Sequence, residues 1–275
     1  GQALFAHLLV EPENLVPVQQ ELAPPERLMV HPVAEVIGRN VQLDEPGLAL
    51  LDRDKGIEKI DAPGPQALDL GPDQREAGLE FECDPVGGQK TGWFYDQRDN
   101  RDHLQHLVKG KRVLDMFSYL GGWGLRAAAY GASEVVCVDA SQPAVDAITR
   151  NIARNGFADR AKAVRADAFD YLKALREKRE HFDVVILDPP AFVKRKKDLA
   201  EGRVAYRRLN ELGMQVLGRD GILITCSCSY HMPRNILLDG VQQAARHLDR
   251  QAQLLWHLQQ GADHPIHPAI AETEY

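Results

Sequence analysis

The chain has 275 residues, of which 44% are hydrophobic and 27% charged, and a formal net charge of −7. This balance is typical of a folded globular protein and excludes a disordered or fibrous chain. The length favours one large domain with a smaller appendage. Four irregularly spaced cysteines exclude a disulfide scaffold. Since no apolar run of about 18 residues and no basic leader is found, we expect a cytoplasmic protein with no membrane partner.

The negative charge is confined to the first part of the sequence. Residues 1–78 carry 14 acidic and 6 basic residues, whereas the rest carry 26 acidic and 27 basic ones. The second part contains a cationic stretch made of Lys194, Arg195, Lys196, Lys197, Arg203, Arg207 and Arg208. Such a stretch predicts either contact with nucleic-acid phosphates or a solvated helix flank, and charge counting leaves both open.

The first part is also rich in proline. Nine of the 16 prolines lie at or before Pro72, without sustained helical periodicity, which predicts a small, strand-poor appendage. The sequence LEFEC at 79–83 then alternates apolar and acidic residues, the pattern of a half-buried strand. We place a domain boundary after it, with an N-terminal appendage or partial middle domain over 1–85 and a second domain over 86–275.

In the second domain, short β-rich runs alternate with longer helical patterns. The runs are RVLDMF, EVVCVD, AKAVRAD, FDVVILD and GILITCS. One intervening helix has clear boundaries, with Ser141 as N-cap, Pro143 in its first turn and Gly156 as left-handed terminator. A helix is also predicted from Asp99 to Val108. The alternation predicts an α/β fold: a Rossmann-like, doubly wound, mostly parallel sheet of the seven-stranded type, with a small N-terminal α+β appendage.

Ligands of such sheets bind outside the carboxyl ends of the strands, where the strand order reverses. The first run opens there into a glycine loop that permits a tight turn. Asp139 ends the next run, 18 residues beyond Gly121, where an acid can accept hydrogen bonds from ribose hydroxyls. The loop is not G-x-G-x-x-G, which favours S-adenosylmethionine (SAM) over a dinucleotide with its pyrophosphate. The candidate cofactor-binding residues here are Asp115, Phe117, Ser118, Gly121, Gly122, Asp139 and Ala140, and Asp188 after a later run is a further candidate.

Asp167 ends the third run and has two interpretations. It can meet the adenine end of the cofactor, or it can cap the helix that follows. The sequence leaves both open.

The last two runs end in residues whose side chains are suited to catalysis. The loop Asp188-Pro189-Pro190 is stiffened by its prolines, so that its carbonyls and Asp188 can face a planar substrate. The other run ends in Cys226 and Cys228. A cysteine thiolate can add to carbon 6 of a cytosine and activate carbon 5 for methylation. The alternative for both cysteines is a buried structural role.

These motifs carry a family resemblance over roughly residues 86–275. KTGWFYDQRDNR, VLDMFSYLGGWG, VDAS with the following N-x-x-x-N-G, LDPPAF and CSCS together resemble the bacterial large-subunit ribosomal RNA cytosine-carbon-5 methyltransferases, which are class I SAM-dependent enzymes. The resemblance implies methyl transfer from SAM to cytosine in ribosomal RNA, with Cys228 as nucleophile and Asp188 on the cytosine edge. It also implies that the segment with Asp96 and Arg98 covers the cofactor, although a β-hairpin with surface polar groups is an alternative.

RNA is the expected partner, and a homodimer is the expected assembly. Ala191 stands where amine methyltransferases have an aromatic residue and where other RNA cytosine methyltransferases have a second cysteine; the aromatic residue comes one place late, at Phe192. Two other functions therefore stay open: guanine or adenine nitrogen methylation without a covalent intermediate, and an inactive RNA-binding module. No metal site is predicted, because His231 after Cys228 lacks a second ligand pair at metal spacing.

Overall fold

The structure is a computed structural model that describes residues 2–9, 74–83, 92–261 and 264–270. The chain divides into one unit of Gly1–Glu13 with Leu70–Tyr275 and a second unit of Asn14–Asp69. All of the second unit lies outside the described residues, and so does most of the predicted appendage. The predicted boundary after residue 85 therefore stays a prediction.

The described residues form nine strands and six α-helices. Short 3-10 turns at Tyr95–Gln97 and His103–His106 flank the first helix, and another at Lys196–Asp198 precedes the fifth. In chain order the elements are β1 (Gln2–Leu9), β2 (Gln74–Glu76), β3 (Leu79–Phe81), α1 (Arg98–Asp102), β4 (Arg112–Met116), α2 (Gly122–Ala129), β5 (Glu134–Asp139), α3 (Gln142–Arg154), β6 (Ala161–Arg165), α4 (Ala168–Glu177), β7 (Phe182–Leu187), α5 (Leu199–Gln215), β8 (Leu217–Ser227), α6 (Arg234–His247) and β9 (Gln251–Leu258).

Seven strands form one sheet in the order β6-β5-β4-β7-β8-β1-β9. Every neighbouring pair from β6 to β8 is parallel, whereas β1 runs antiparallel to β8 and to β9. This confirms the predicted Rossmann-like, mostly parallel sheet. The chain passes from one half of the sheet to the other between β6 and β7, so the carboxyl ends of β4 and β7 border the crevice where such sheets bind ligands.

The position of β1 differs from the expectation. The sequence predicted a strand-poor appendage for its residues, but β1 lies inside the main sheet and pairs Ala3 with Cys226 of β8 and with Leu258 of β9. Ala3 and Leu4 are buried there. A pairing between residues more than 200 positions apart depends on tertiary packing, and local pattern does not reveal it.

The core covers both faces of the sheet. One cluster includes Leu125 of α2 and Ile148 of α3, and another includes Leu172 of α4, Leu209 of α5 and Ala244 of α6. Residues 184–187 of β7 are all buried, as predicted for a strand covered on both faces. Among the described residues, none of the helices has the length and apolar character needed to cross a bilayer.

Two local predictions about helices have different outcomes. The boundaries of α3 are confirmed, since Ser141 Oγ accepts from Ala144 N and Gly156 has a φ of 72°. The helix predicted over 99–108 is wrong in its second half, because α1 ends at Asp102 and the 3-10 turn follows. The β-hairpin alternative for the segment 90–101 is also wrong, since the described residues 92–101 contain no strand and residues 95–101 form helical turns.

Candidate active site

The glycine loop after β4 has an unusual backbone. Phe117, Tyr119 and Gly121 have φ values of 63°, 54° and 86°, in the left-handed region. Two non-glycine residues there cost about 1–3 kcal/mol each. The loop is held in this shape because Ser118 N donates to Val138 O (3.0 Å) and Gly121 N donates to Ser118 O (2.8 Å). Such strain, kept by the surrounding structure, is typical of a ligand-binding turn.

Asp139 lies beside this loop at the end of β5. Its carboxylate accepts from Tyr119 N and from Ser141 N, each at 2.9 Å, and it is partly buried. These two bonds fix the acid between the glycine loop and the start of α3. Each oxygen keeps a further lone pair, so the carboxylate can still accept from a ligand hydroxyl. Ala140, the next residue, is exposed.

Asp115 lies beneath the loop. It is fully buried, and its Oδ2 accepts from Ser118 Oγ and from Gly124 N at 2.9 Å. Its Oδ1 has no hydrogen-bond partner within the described structure. Burial, followed by the nearby charges of Asp188 and Asp139, raises the pKa of Asp115 to about 7. Asp115 and Ser118 therefore support the loop from below, and their predicted contact with the cofactor stays a prediction.

A layer of buried charges supports the start of α2, and we call Glu76, Arg101 and Arg126 the charged layer. Arg101 binds both carboxylate oxygens of Glu76, at 2.8 and 2.6 Å, and Arg126 Nη2 donates to Oε1 at 2.6 Å. The three side chains are at most 3% exposed. Although burial opposes ionisation, the hydrogen bonds and charge of Arg101 hold the pKa of Glu76 below its usual value. Local sequence patterns do not reveal this layer, because its members lie 25 to 50 residues apart.

The layer bears on the glycine loop through Gly122. A Cβ on Gly122 would lie 3.3 Å from the Trp93 ring and 3.4 Å from Arg101 Nη1. Trp93 Nε1 also donates to Glu76 Oε2 at 2.9 Å. The segment that contains Trp93 and Arg101 is thus packed directly over the start of α2.

Of the two candidate residues in that segment, Asp96 and Arg98, only Asp96 lies in the interior. Asp96 is buried, and its charge is close enough to Asp188 to favour protonation of that carboxyl. Arg98 is partly exposed, and its Nε donates to Asp99 Oδ1 at 3.1 Å. The arginine of this segment that reaches the interior is Arg101, which the sequence analysis did not select.

Asp188 follows β7 at the other side of the crevice. Its Oδ2 accepts from Trp123 Nε1 at 3.0 Å, and Trp123 stands in the first turn of α2. Burial, and secondarily the charge of Asp96, raises the pKa of Asp188 above its usual value. The bond to Trp123 joins the glycine loop side of the crevice to the Asp188-Pro189-Pro190 loop.

The two candidate cysteines are in different environments. Cys226 is fully buried within β8, and its thiol pKa is raised well above the usual value by burial, then by the charge of Asp188. Cys228 lies one residue beyond β8, is partly exposed, and its Sγ donates to Pro189 O with an S···O distance of 3.8 Å. Of the two, only Cys228 is accessible at the edge of the sheet.

Cys228 is flanked by a network that we call the hydroxyl cluster: Tyr206, Ser227 and Ser229. Ser227 Oγ donates to Tyr206 Oη at 3.0 Å, and Tyr206 Oη lies 3.1 Å from Ser229 Oγ. All three residues are buried. The cluster fixes the two serines inward, which leaves Cys228 between them on the other side of the chain. Tyr206 is a residue that the sequence analysis missed.

Two other candidates have structural roles. Asp167 caps α4, since its Oδ1 accepts from Phe169 N and Asp170 N at 2.9 and 3.1 Å. The cap interpretation is confirmed, and a contact with adenine stays a prediction. The Phe192 ring packs 4.8 Å from the Tyr206 ring and 6.4 Å from the Phe169 ring.

The donor set of the crevice fits SAM better than a phosphate cofactor. Asp139 and Asp188 are close enough to Asp115 for their negative charges to raise its pKa. No basic residue occurs between 116 and 125. A loop without basic residues, bordered by carboxyl groups, does not attract phosphates, whereas the carboxylates attract a cation such as a sulfonium.

A doubly wound sheet with a left-handed glycine turn after one central strand and an acid at the end of the next is the arrangement of class I methyltransferases. Residues 66–265 match the family model described as S-adenosylmethionine-dependent methyltransferase. The chain belongs to this family of SAM-dependent methyltransferases.

Curated relatives give the same result. Ribosomal RNA large subunit methyltransferase I of Photobacterium profundum is 44% identical over 201 residues, which cover 73% of this chain and 51% of the relative. The enzyme of the same name from Cronobacter sakazakii is 37% identical over 239 residues, covering 84% of this chain and 60% of the relative. The chain thus spans about half the length of the curated relatives it matches.

Among solved structures, SMU.776 complexed with SAH superposes with a TM-score of 0.64 and 25% identity, over 73% of this chain and 52% of that one. A SAM-dependent methyltransferase structure from Streptococcus mutans gives a TM-score of 0.54 and 28% identity, over 62% of this chain and 44% of that one. Both support the methyltransferase fold.

Proposed function

We propose that the chain transfers a methyl group from SAM to carbon 5 of a cytosine in large-subunit ribosomal RNA. The observation that carries this proposal is the placement of Cys228: its partly exposed sulfur lies at the sheet edge, beside the Asp188-Pro189-Pro190 loop. The ribosomal RNA substrate is suggested by the names of the relatives. We further propose that the chain acts in the cytoplasm, and as a homodimer.

The residues that would hold SAM follow the carboxyl ends of β4, β5 and β6, on one side of the crevice between β4 and β7. Asp139 would accept hydrogen bonds from the ribose hydroxyls of SAM, and the glycine loop would face its amino acid part. Asp167 and Ala140 would lie toward the adenosine end of SAM. SAM supplies an electrophilic methyl group on a sulfonium. The carboxyl groups of the crevice would favour this positive charge.

The reaction needs a nucleophile because carbon 5 of cytosine reacts poorly with a methyl donor. The thiolate of Cys228 forms a bond to carbon 6, and the electrons of the 5,6 double bond make carbon 5 nucleophilic. Carbon 5 would take the methyl group, with the donor sulfur leaving as a neutral thioether. A water molecule would then accept the proton of carbon 5, the electrons of that C–H bond would restore the 5,6 double bond, and the carbon–sulfur electrons would return to Cys228 Sγ. The target base must be unpaired or flipped out, since the sulfur approaches carbon 6 from the face of the ring.

Asp188 is placed to assist at the cytosine edge. Its pKa is raised by burial, which increases the protonated fraction at a given pH. A protonated carboxyl can donate to ring nitrogen 3, where negative charge develops when the thiolate adds. Trp123 Nε1 donates to Asp188 Oδ2 at 3.0 Å, and this hydrogen bond orients the carboxyl group.

One observation speaks against methylation of an exocyclic amine. That reaction uses an aromatic ring beside the base, and in this chain Ala191 has no ring while the Phe192 ring is packed against Tyr206. The packing of Phe192 therefore favours methylation of carbon 5 through a covalent bond to Cys228 over methylation of an exocyclic amine.

Trapping with a fluorinated substrate tests the proposal. The 275-residue chain is incubated with SAM and a large-subunit ribosomal RNA transcript that contains 5-fluorocytosine, which cannot lose a proton from carbon 5. We expect a denaturation-resistant protein–RNA adduct with the wild type and with Cys226→Ala. We expect none with Cys228→Ala, because only the partly exposed sulfur reaches the base.

Each other outcome rejects a defined part of the proposal. Methylated RNA without an adduct would favour nitrogen methylation, and an adduct in Cys228→Ala would reject the nucleophile. Absence of SAM binding by calorimetry at millimolar concentration would favour a non-catalytic RNA-binding module.

A further inference from the structure

The loop that follows the Asp188-Pro189-Pro190 segment presents a row of positive charges. Lys194, Arg195, Lys196 and Lys197 are all exposed. Arg195 pairs with Asp198 at 3.0 Å, whereas the three lysines form no ion pair with any described residue. Many other arginines of the domain are paired; Arg112, for instance, binds Glu134 and Glu180. The unpaired lysines are thus a local cationic surface on a chain whose net charge is −7.

This loop is attached to the segment that carries Cys228. Val193 N donates to Ser229 Oγ at 3.2 Å, which joins the residue before the lysines to the residue after the cysteine. Val193 is also packed against α5, since a Cβ on Gly202 would lie 2.2 Å from Val193 Cγ2. The start of the cationic loop therefore has a fixed position relative to the cysteine.

An exposed aromatic ring lies on the same segment. Tyr230 is two residues beyond Cys228 and is 42% exposed. Its ring contacts the His231 ring edge to face, with centroids 5.0 Å apart. An exposed aromatic side chain, on a segment hydrogen-bonded to a cationic loop, is a combination that suits single-stranded RNA, because the ring stacks on a base while the cations bind phosphates.

We propose that Lys194, Lys196, Lys197 and Tyr230 form an RNA-binding rim, which holds the single strand that flanks the target cytosine. The lysines bind its phosphates, and Tyr230 stacks on a neighbouring unpaired base. This inference rests on the proposed function for the identity of the target base. Binding of the strand itself does not require methyl transfer.

Binding of a labelled oligonucleotide tests the rim without any chemistry. The probe is a fluorescein-labelled, unstructured 20-nucleotide oligocytidine RNA, and its anisotropy is measured with the full chain at several salt concentrations. Lys196→Gln/Lys197→Gln should weaken binding about tenfold and reduce the salt slope by about 1.4, because each lost phosphate contact contributes about 0.7 on a single strand.

The matched control is Lys178→Gln/Arg179→Gln. These two residues are also exposed and adjacent, but they precede β7 at the opposite edge of the sheet. The control should bind RNA like the wild type. Equal losses in both double variants would show a general charge effect and would overturn the rim, as would a wild type that does not bind the probe at 50 mM salt.

The aromatic part has its own pair of variants. Tyr230→Ala should weaken binding about tenfold with an unchanged salt slope, and Tyr230→Phe should bind like the wild type, because stacking needs the ring and not the hydroxyl. Unchanged binding of Tyr230→Ala would remove Tyr230 from the rim.

The two proposals fail in different ways. If the lysine variant loses RNA while the wild type forms no adduct with 5-fluorocytosine, the rim stands and the proposed chemistry fails. If the wild type forms the adduct and the lysine variant binds RNA normally, the chemistry stands and the rim is wrong.

Discussion

Buried polar groups support the site from two sides, and these two regions differ in charge. The charged layer at the start of α2 consists of a carboxylate and two guanidinium groups with almost no exposure. The hydroxyl cluster beside Cys228 is equally buried but consists of neutral groups. Both are hydrogen-bonded networks of three side chains, yet they should respond differently when one member is removed.

The difference follows from the cost of leaving a group unpaired. A buried charge without its partner is far more costly than a buried hydroxyl without its partner. The charged layer should therefore govern whether the domain folds, whereas the hydroxyl cluster should govern only where Cys228 stands. Substitutions that test each network separate these two effects.

The largest effect is expected for Glu76→Gln. The amide cannot neutralise Arg101 and Arg126, so among the described residues these two buried cations keep Asp102 alone as an ionic partner, through Arg126. We expect a loss of about 3–5 kcal/mol in the free energy of unfolding. Urea denaturation followed by circular dichroism measures it.

The control for this variant is Glu82→Gln. Glu82 pairs with Arg150 and Arg154, but its side chain is 38% exposed. The expected loss is below about 1 kcal/mol. Similar losses for the two variants would show that the burial of the charged layer does not matter.

The next effect is a pH dependence that belongs to Asp115. Its pKa in the folded state is about 7, against 3.8 for the free side chain, so the folded state binds a proton more tightly than the unfolded state. Its contribution to stability is therefore complete below about pH 4 and is lost as the pH rises to about 7. From pH 5 to pH 8 the expected loss is about 3 kcal/mol.

Asp115→Asn isolates this contribution, because the amide does not titrate. The stability of the wild type minus that of the variant should fall by about 3 kcal/mol between pH 5 and pH 8. Urea midpoints at several pH values measure both proteins. A difference that does not change with pH would place the titration of Asp115 outside this range.

The smallest effect on stability is expected for Tyr206→Phe, which removes the central hydroxyl of the hydroxyl cluster. One neutral hydroxyl is lost, and the serines keep their bonds to Val193 N and Ser229 N. The expected cost is about 1 kcal/mol. The position of Cys228 should change nonetheless, and its alkylation rate by iodoacetamide should rise severalfold.

Tyr130→Phe is the control on the other side of the site, since the Tyr130 hydroxyl contacts Asp102 and Arg126 Nη1. It should leave the alkylation of Cys228 unchanged. Cys228 is suitable as a reporter because Cys83, Cys137 and Cys226 are all buried. An equal change in both tyrosine variants would contradict a local role for the hydroxyl cluster.

Much of the fold could be predicted from local sequence patterns. The β-rich runs, the N-cap Ser141 and the terminator Gly156 identify the strands and α3, because periodicity and capping act within a few residues. The placement of Asp139 beside the glycine loop follows from the same pattern, since parallel strands end at one edge. Cys226 and Cys228 were likewise both selected from their position at a strand end, and the family resemblance implied Cys228 as the nucleophile.

The features that the sequence did not reveal depend on contacts between residues that lie far apart in the chain. β1 pairs with β8 and β9 across more than 200 residues, and Glu76 meets Arg126 across 50. Arg98 and Arg101 have the same charge and lie one turn apart, so composition could not tell which one enters the core. The choice between Cys226 and Cys228 required the end of β8, which a motif defines only to within a residue or two.

The contact between Trp123 and Asp188 also makes the fluorescence of Trp123 sensitive to changes in the crevice. The indole donates to a carboxylate of the crevice and is only 4% exposed, so its emission depends on the state of that carboxylate. The chain has three tryptophans, and a Trp123→Phe difference spectrum isolates this one. Occupancy of the crevice can then be followed by intrinsic fluorescence, without any label.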